Sequence, residues 1–135
     1  RSHTREHDSA IAAIEKAIDS PNRCGIAYPV VAEFWNIATD PISFSQQDLS
    51  AKAMDFLKEL FYFGKIELWY PNQGFADRLM QTALDLNIKG VRIFDLQIAL
   101  IALENGATEI WTHDRSFHVI PGLRRHDPIG RMNEN

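Results

Sequence analysis

The stretch KGVRIFDLQIALIALENGATEIWTHDRSF, residues 89–117, decides the fold class. Its middle part, FDLQIALIALENG, is a strongly apolar run of helical length, and Gly106 ends it as glycines commonly end helices. The segment ATEIWT follows at once and predicts a short strand. Two carboxylates mark this unit, because Asp95 opens the apolar helix and Asp114 comes just after the strand.

The rest of the chain repeats the alternation of helix and strand. Pro29 suits the first turn of a helix, and Ser45 with Asp48 resembles a capping pair that opens another. Such alternation implies βαβ units and a parallel sheet with helices on both faces. The predicted helices are 7–19, PVVAEFWNIA, a segment from Ser45 to about Tyr62, FADRLMQTALDLN and FDLQIALIALENG, and the strands are RCGIAY, KIELWY, ATEIWT and GLRRHD.

Composition sets the limits of the function. The 135 residues suit one domain, and 18 acidic against 14 basic residues give a net charge of −4. That balance argues against binding nucleic acid by bulk electrostatics, although bound cations can reverse a local field. No apolar run approaches the roughly 20 residues that cross a membrane. The single Cys24 excludes an internal disulfide and predicts a reducing, cytoplasmic setting.

Three carboxylates, those of Glu33, Asp95 and Asp114, fall near one end of the predicted sheet, where ligands bind in parallel α/β folds. Each has an ordinary alternative. Glu33 suits an exposed helix face, Asp95 a helix N-cap and Asp114 a turn. Together they favour a hard cation, since clustered carboxylates repel one another without one. Such a site suits metal-assisted phosphoryl chemistry.

Three segments carry a resemblance to a known family: YPVVAEFWNIATDP, KGVRIFDLQIALIALENGATEIWTHD and THDRSFHVIPGLRRHDP. In order and spacing they resemble the PIN-domain ribonucleases, specifically the VapC-type toxins of prokaryotic toxin–antitoxin pairs. The resemblance implies a PIN-like three-layer sandwich with a parallel central sheet. It covers nearly all of residues 1–135, which are expected to form a single PIN-like domain.

The resemblance also implies site residues. The family holds one or two divalent cations, Mg²⁺ or Mn²⁺, with four acids, of which Glu33, Asp95 and Asp114 match the second, third and fourth. Thr112 is implied to support Asp114, and Asn36 to orient Glu33. Ser116 stands where many members carry a further aspartate.

The first acid of the family ends a central strand that precedes the first helix. The chain begins with RSHTREHD, which is similar to the segment after that strand, and Asp8 has no apolar strand before it. The domain is therefore expected to be N-terminally incomplete and to lack its first central strand. Losing that strand would leave two buried sheet edges with unpaired backbone groups.

The implied function is metal-dependent hydrolysis of RNA phosphodiesters by the toxin of a toxin–antitoxin system, leaving a 5′-phosphate and a 3′-hydroxyl. Arg92 and Arg115 flank two of the acids and are candidates for phosphate contact. Single-stranded RNA is the expected substrate, because its bases are free to enter a groove. The expected protein partners are an antitoxin and a second copy in a homodimer.

Two other functions stay open at this stage. One is a catalytically degenerate PIN-fold interaction module, which fits the missing first acid and Ser116. The other is an unrelated α/β domain binding a phosphorylated ligand, although no phosphate-binding glycine motif is present. Zinc is a weaker possibility. His3 with His7 and His113 with His118 are spaced closely, but no cysteine pair accompanies them.

Overall fold

Strands and helices alternate along the chain, as the sequence predicts. A computed structural model describes residues 23–40, 50–64, 66–112, 117 and 120–127, and the helix predicted at 7–19 and the capping pair at Ser45 and Asp48 lie outside them. The elements are β1 (Cys24–Ala27), α1 (Tyr28–Thr39), α2 (Ser50–Phe63), β2 (Ile66–Trp69), α3 (Phe75–Asp85), α4 (Arg92–Glu104), β3 (Glu109–Trp111) and β4 (Arg124–His126).

Proline and glycine determine several of these boundaries. Pro29 occupies the first turn of α1, where its missing N–H costs nothing. Gly106 follows α4 with φ of 95°, a left-handed conformation that glycine adopts without steric cost. Both positions agree with the sequence prediction.

The described strands form two parallel pairs. β1 pairs with β2 in the register Cys24↔Ile66, and β3 pairs with β4 in the register Glu109↔Arg124. Within the described ranges no strand joins the two pairs into one sheet. The absence of a first central strand, which the sequence leads us to expect, stays a prediction.

Helix α4 forms the centre of the core. Its side chains at Leu96 and Ile101 are completely buried. One face packs in a cluster with Ile120 and Leu123, just before β4, and with apolar side chains of α3. The helix also contacts β1 and α1, so it joins the β1–β2 half to the β3–β4 half.

A glycine and a tryptophan fix the packing of the β1–β2 pair. The indole ring of Trp69 lies so close over Gly25 that a Cβ at this position would overlap three ring carbons. The Trp69 Nε1–H donates a hydrogen bond of 2.8 Å to Glu67, which holds the ring in place. Close approach of a ring to a backbone is a recurrent reason for glycine within a strand.

The same carboxylate pairs with the residue that precedes β1. The Arg23 guanidinium donates two hydrogen bonds to Glu67, at 2.8 and 2.6 Å. These bonds and the bond from Trp69 lower the pKa of Glu67 from 4.5 to about 2. The pair is largely exposed, with 65% of the Arg23 side chain and 39% of the Glu67 side chain accessible, so solvent weakens it.

Replacing Gly25 with alanine is expected to lower the free energy of unfolding by about 1–3 kcal/mol, because the added methyl group displaces the Trp69 ring. Urea unfolding measures this loss. The control is the same substitution in a Trp69→Leu background, where the smaller side chain leaves room and the loss is expected to shrink. Equal losses in both backgrounds would contradict the packing described.

The Glu67 carboxylate is expected to make stability depend on pH. A folded pKa below the unfolded value contributes stability above about pH 4.5, and that contribution disappears as pH falls towards 2. Unfolding curves of wild type and Glu67→Gln should therefore differ at pH 6, by less than about 1 kcal/mol, and converge near pH 2. Arg23→Gln should behave in the same way, and a pH-independent difference would contradict the assignment.

Candidate functional site

Glu33 lies on an exposed face of α1, and so does Asn36, one turn further along. The sequence leaves water, a partner or a cation as the possible surroundings of this carboxylate. In the structure its side chain is open to solvent, so the charged carboxylate carries no burial cost and a dissolved ligand can reach it directly.

Asp95 lies in the first turn of α4 and is half-buried. The ordinary interpretation of this residue as the N-cap is wrong, because α4 begins at Arg92 and Val91 precedes it. The carboxylate lies instead where the partial positive charge of the helix N-terminus favours an anion. It is also engaged in a hydrogen bond or electrostatic interaction.

Helices α1 and α4 contact each other, so Glu33 and Asp95 lie on neighbouring helices. Asp114 and Arg115 lie outside the described residues. In the part of the chain that the structure describes, no three His, Cys, Asp or Glu side chains come close enough to hold an ion. The three-carboxylate site therefore stays a prediction.

Thr112 lies at the carboxyl end of the β3–β4 pair. Its backbone N–H donates a hydrogen bond of 2.9 Å to the carbonyl oxygen of His126, which extends the pairing beyond Trp111. The residue is half-buried and, like Asp95, has a polar interaction partner. The hydrogen bond therefore fixes the backbone of Thr112, two residues before Asp114 in the sequence.

Asp127 is a residue that the sequence interpretation missed. It follows β4 and is 3% exposed, which makes it the one buried polar or charged residue in the described ranges. The available signal was its position directly after a strand, the same criterion that singled out Asp114. The sequence prediction assigns GLRRHD whole to a strand, so Asp127 does not stand out as a residue that follows one.

The other candidates divide between exposed and undescribed positions. Arg92 is exposed in the first turn of α4, and its contact with phosphate stays a prediction. The paired histidines that suggested zinc lie outside the described residues. His126 contacts the Trp111 ring at a centroid distance of 5.0 Å.

A large open groove lies between α1, α2 and β2. It has a volume of about 1140 Å³, and most of its lining is apolar or aromatic. Tyr28 and Tyr70 stack at its side with ring centroids 5.3 Å apart, each about half exposed. Trp35 lies two turns after Tyr28 on the same side of α1. The side of the groove that α2 forms is lined by Met54, Leu57, Phe61 and Tyr62.

Comparison with known proteins agrees with this architecture. A family model of the PIN domain matches residues 2–123. Ribonuclease VapC48 of Mycobacterium tuberculosis, from strains CDC 1551 / Oshkosh and ATCC 25618 / H37Rv, is 21% identical over 123 residues, covering 91% of this chain and 85% of the relative. Because the family match spans most of the sequence, the chain belongs to the PIN domain family. The resemblance to VapC-type proteins is confirmed.

The candidate ligands suit the cations that the resemblance implies. Glu33, Asp95 and Asp114 offer carboxylate oxygens alone, which is the donor chemistry that Mg²⁺ and Mn²⁺ prefer. Of the two candidate ligands among the described residues, Glu33 is open to solvent and Asp95 lies at a helix start. Separately, none of the described helices has the length and hydropathy of a membrane span.

Proposed function

We propose that this protein is a metal-dependent endoribonuclease and the toxin of a toxin–antitoxin pair, acting in the cytoplasm. The observation that carries the proposal is membership of the PIN domain family over residues 2–123. Two of the three predicted acids support it by lying on helices that contact each other. The Mycobacterium tuberculosis relative is a protein named as a ribonuclease, which points to the same activity.

Three side chains, Glu33, Asp95 and Asp114, would hold one or two Mg²⁺ or Mn²⁺ ions. When bound, such ions activate water and stabilise the oxygen that leaves the phosphorus. The protein positions these ligands: α1 presents Glu33 beside Asn36, and α4 presents Asp95 in its first turn. Thr112 would fix the start of the segment that carries Asp114.

The substrate we propose is single-stranded or loop RNA. The net charge of −4 means that attraction to phosphates must come from local groups rather than from the whole surface. Arg92 is exposed three residues before Asp95, which supports a contact between its guanidinium and a phosphate near the cation. Arg115 is proposed to do the same beside Asp114.

RNA cleavage in Mg²⁺ or Mn²⁺ tests this proposal. Asp95→Asn and Glu33→Gln are expected to lower the cleavage rate by at least about 100-fold, because each removes a charged oxygen ligand. Asp55→Asn is the matched control, since Asp55 is an exposed acid of α2 that is not among the predicted ligands. The fraction of labelled RNA cleaved over time gives the rate.

Cleavage that persists in Asp95→Asn would contradict the assigned ligands. Absence of cleavage in the wild type, with any metal, would favour the catalytically degenerate interaction module. Cleavage that continues in a metal chelator would exclude the metal-dependent reaction.

The partner we propose for the groove is the amphipathic helix of the cognate antitoxin. A helix with its side chains is about 10–12 Å across, and the groove offers it a predominantly apolar floor. Exposed aromatic side chains at such a surface are typical anchors of a protein interface. We also propose a homodimer, for which Met80, Leu84, Val91 and Phe94 provide exposed apolar side chains on α3 and around the start of α4.

Tyr62→Lys is expected to weaken antitoxin binding about 10-fold or more, because Tyr62 lines the groove and a lysine there would be desolvated. Phe63→Lys is the matched control, since Phe63 is 81% exposed and does not line the groove. Calorimetric titration with the antitoxin measures both affinities. Equal effects of the two variants would place the antitoxin elsewhere.

A further inference from the structure

Two tyrosines stack where β1 and β2 end, and the metal site proposed above gives them no role. Ala27 and Trp69 are paired at the last position of the strand register, so Tyr28 and Tyr70 follow them side by side. Their ring centroids are 5.3 Å apart, and the ring planes are inclined by 29°. The two residues are 53% and 54% exposed, so ring surface is left open to a ligand.

Neighbouring elements hold the backbone of both tyrosines. Tyr28 is the first residue of α1 and precedes Pro29, whose ring restricts the backbone on both sides of the peptide bond. The carbonyl oxygen of Tyr70 accepts a hydrogen bond of 3.4 Å from Nδ2 of Asn105. The same nitrogen donates to the carbonyl oxygen of Ile101 at 2.8 Å, which connects Tyr70 to the last turn of α4. A surface that is already ordered costs less conformational entropy when a ligand binds to it.

The tyrosine pair lies at the end of the strands where a substrate is expected. In parallel α/β folds, ligands bind outside the carboxyl ends of the strands. Glu33, a candidate metal ligand, follows Tyr28 by five residues on α1, which corresponds to a rise of about 7.5 Å along the helix axis. A base on Tyr28 would therefore belong to the same short stretch of RNA as a phosphate beside Glu33.

The charges in the groove beside the pair favour a strand that carries phosphates. Among the described residues that line the groove, only Glu67 and Lys58 are charged. Arg23 donates two hydrogen bonds to Glu67 and compensates its charge. Lys58 is exposed on α2, so the lining has an excess of positive charge. Aromatic rings next to a cation are the combination by which proteins bind unpaired nucleic acid strands.

We propose that Tyr28 and Tyr70 form a subsite that stacks on a base of single-stranded RNA, with Lys58 attracting a neighbouring phosphate. The inference rests on the proposed function and adds to it the residues that bind the base. Every base has a π-face, so stacking contributes affinity with little preference for sequence. The ordinary alternative is that the two rings only stabilise the strand ends by packing on each other.

The steady-state kinetics of RNA cleavage by the whole chain test the subsite. Tyr28→Leu keeps an apolar side chain but removes the aromatic face, so it is expected to raise KM about 10-fold or more with a smaller change in kcat. Tyr28→Phe retains the face and should restore the KM of the wild type. Phe63→Leu is the matched control, since Phe63 is exposed and does not line the groove, and its KM should not change.

An RNA of the same length that lacks the bases next to the cleaved bond shows whether Tyr28 contacts a base. The wild type is expected to cleave this abasic RNA with a KM raised by a similar factor, about 10-fold or more. The increase should not multiply with that of Tyr28→Leu, because the ring and the base are the two halves of one contact. Increases that multiply would overturn the proposal.

The tyrosine variants give further outcomes that decide the proposal. An unchanged KM in Tyr28→Leu, or an equal increase in Tyr28→Phe, would overturn it. If Tyr28→Leu does not fold, as circular dichroism shows, Tyr70→Leu and Tyr70→Phe provide the same comparison. If Tyr28→Leu binds the antitoxin more weakly but cleaves RNA with the KM of the wild type, the pair belongs to the antitoxin surface alone and the proposal is wrong.

Cleavage by the wild type separates failure of this inference from failure of the proposed function. If the wild type cleaves RNA and Tyr28→Leu has an unchanged KM, the ribonuclease stands and the stacking subsite is wrong. If the wild type cleaves no RNA with any metal, the proposed function is wrong and this inference falls with it.

Discussion

Burial of α4 on more than one side is the constraint on which the described structure depends. The two strand pairs share no backbone hydrogen bond in the described ranges, and there α4 connects them mainly through its side chains. One face of α4 packs with α3 and the segment before β4, and the helix also contacts β1 and α1. A polar residue at Leu96 or Ile101 would therefore separate the two halves rather than loosen one contact.

The same burial determines where the candidate chemistry lies. Asp95 is next to the fully buried Leu96, so its position follows from the packing of the core rather than from a mobile loop. Glu33 lies on a helix that contacts α4, although its own side chain faces solvent. The β3–β4 pair adds Thr112 and Asp127 at a strand end. Rigid elements thus supply each described candidate, which suits a site that requires ligands at fixed separations.

The sequence predicted the order of helices and strands well, because this order depends on local features. Apolar periodicity determines the type of each element, and Pro29 and Gly106 determine where two of the helices begin and end. It also identified Glu33 and Asp95 as unusual and the fold as PIN-like.

The sequence could not reveal the burial of Asp127, since a polar residue after a strand looks the same whether it is exposed or covered. The division into two strand pairs, and the ring of Trp69 over Gly25, depend on contacts between residues far apart in sequence. No local pattern encodes such contacts.

The groove along β2 has a consequence for the solubility of the protein. β2 is paired only with β1 among the described strands, and exposed aromatic side chains such as Tyr62 lie beside it. An open strand edge next to an apolar surface is a template for self-association. If the antitoxin covers this surface as proposed, a copy made without it would leave the apolar side chains exposed and would aggregate, which would lower the amount of soluble protein.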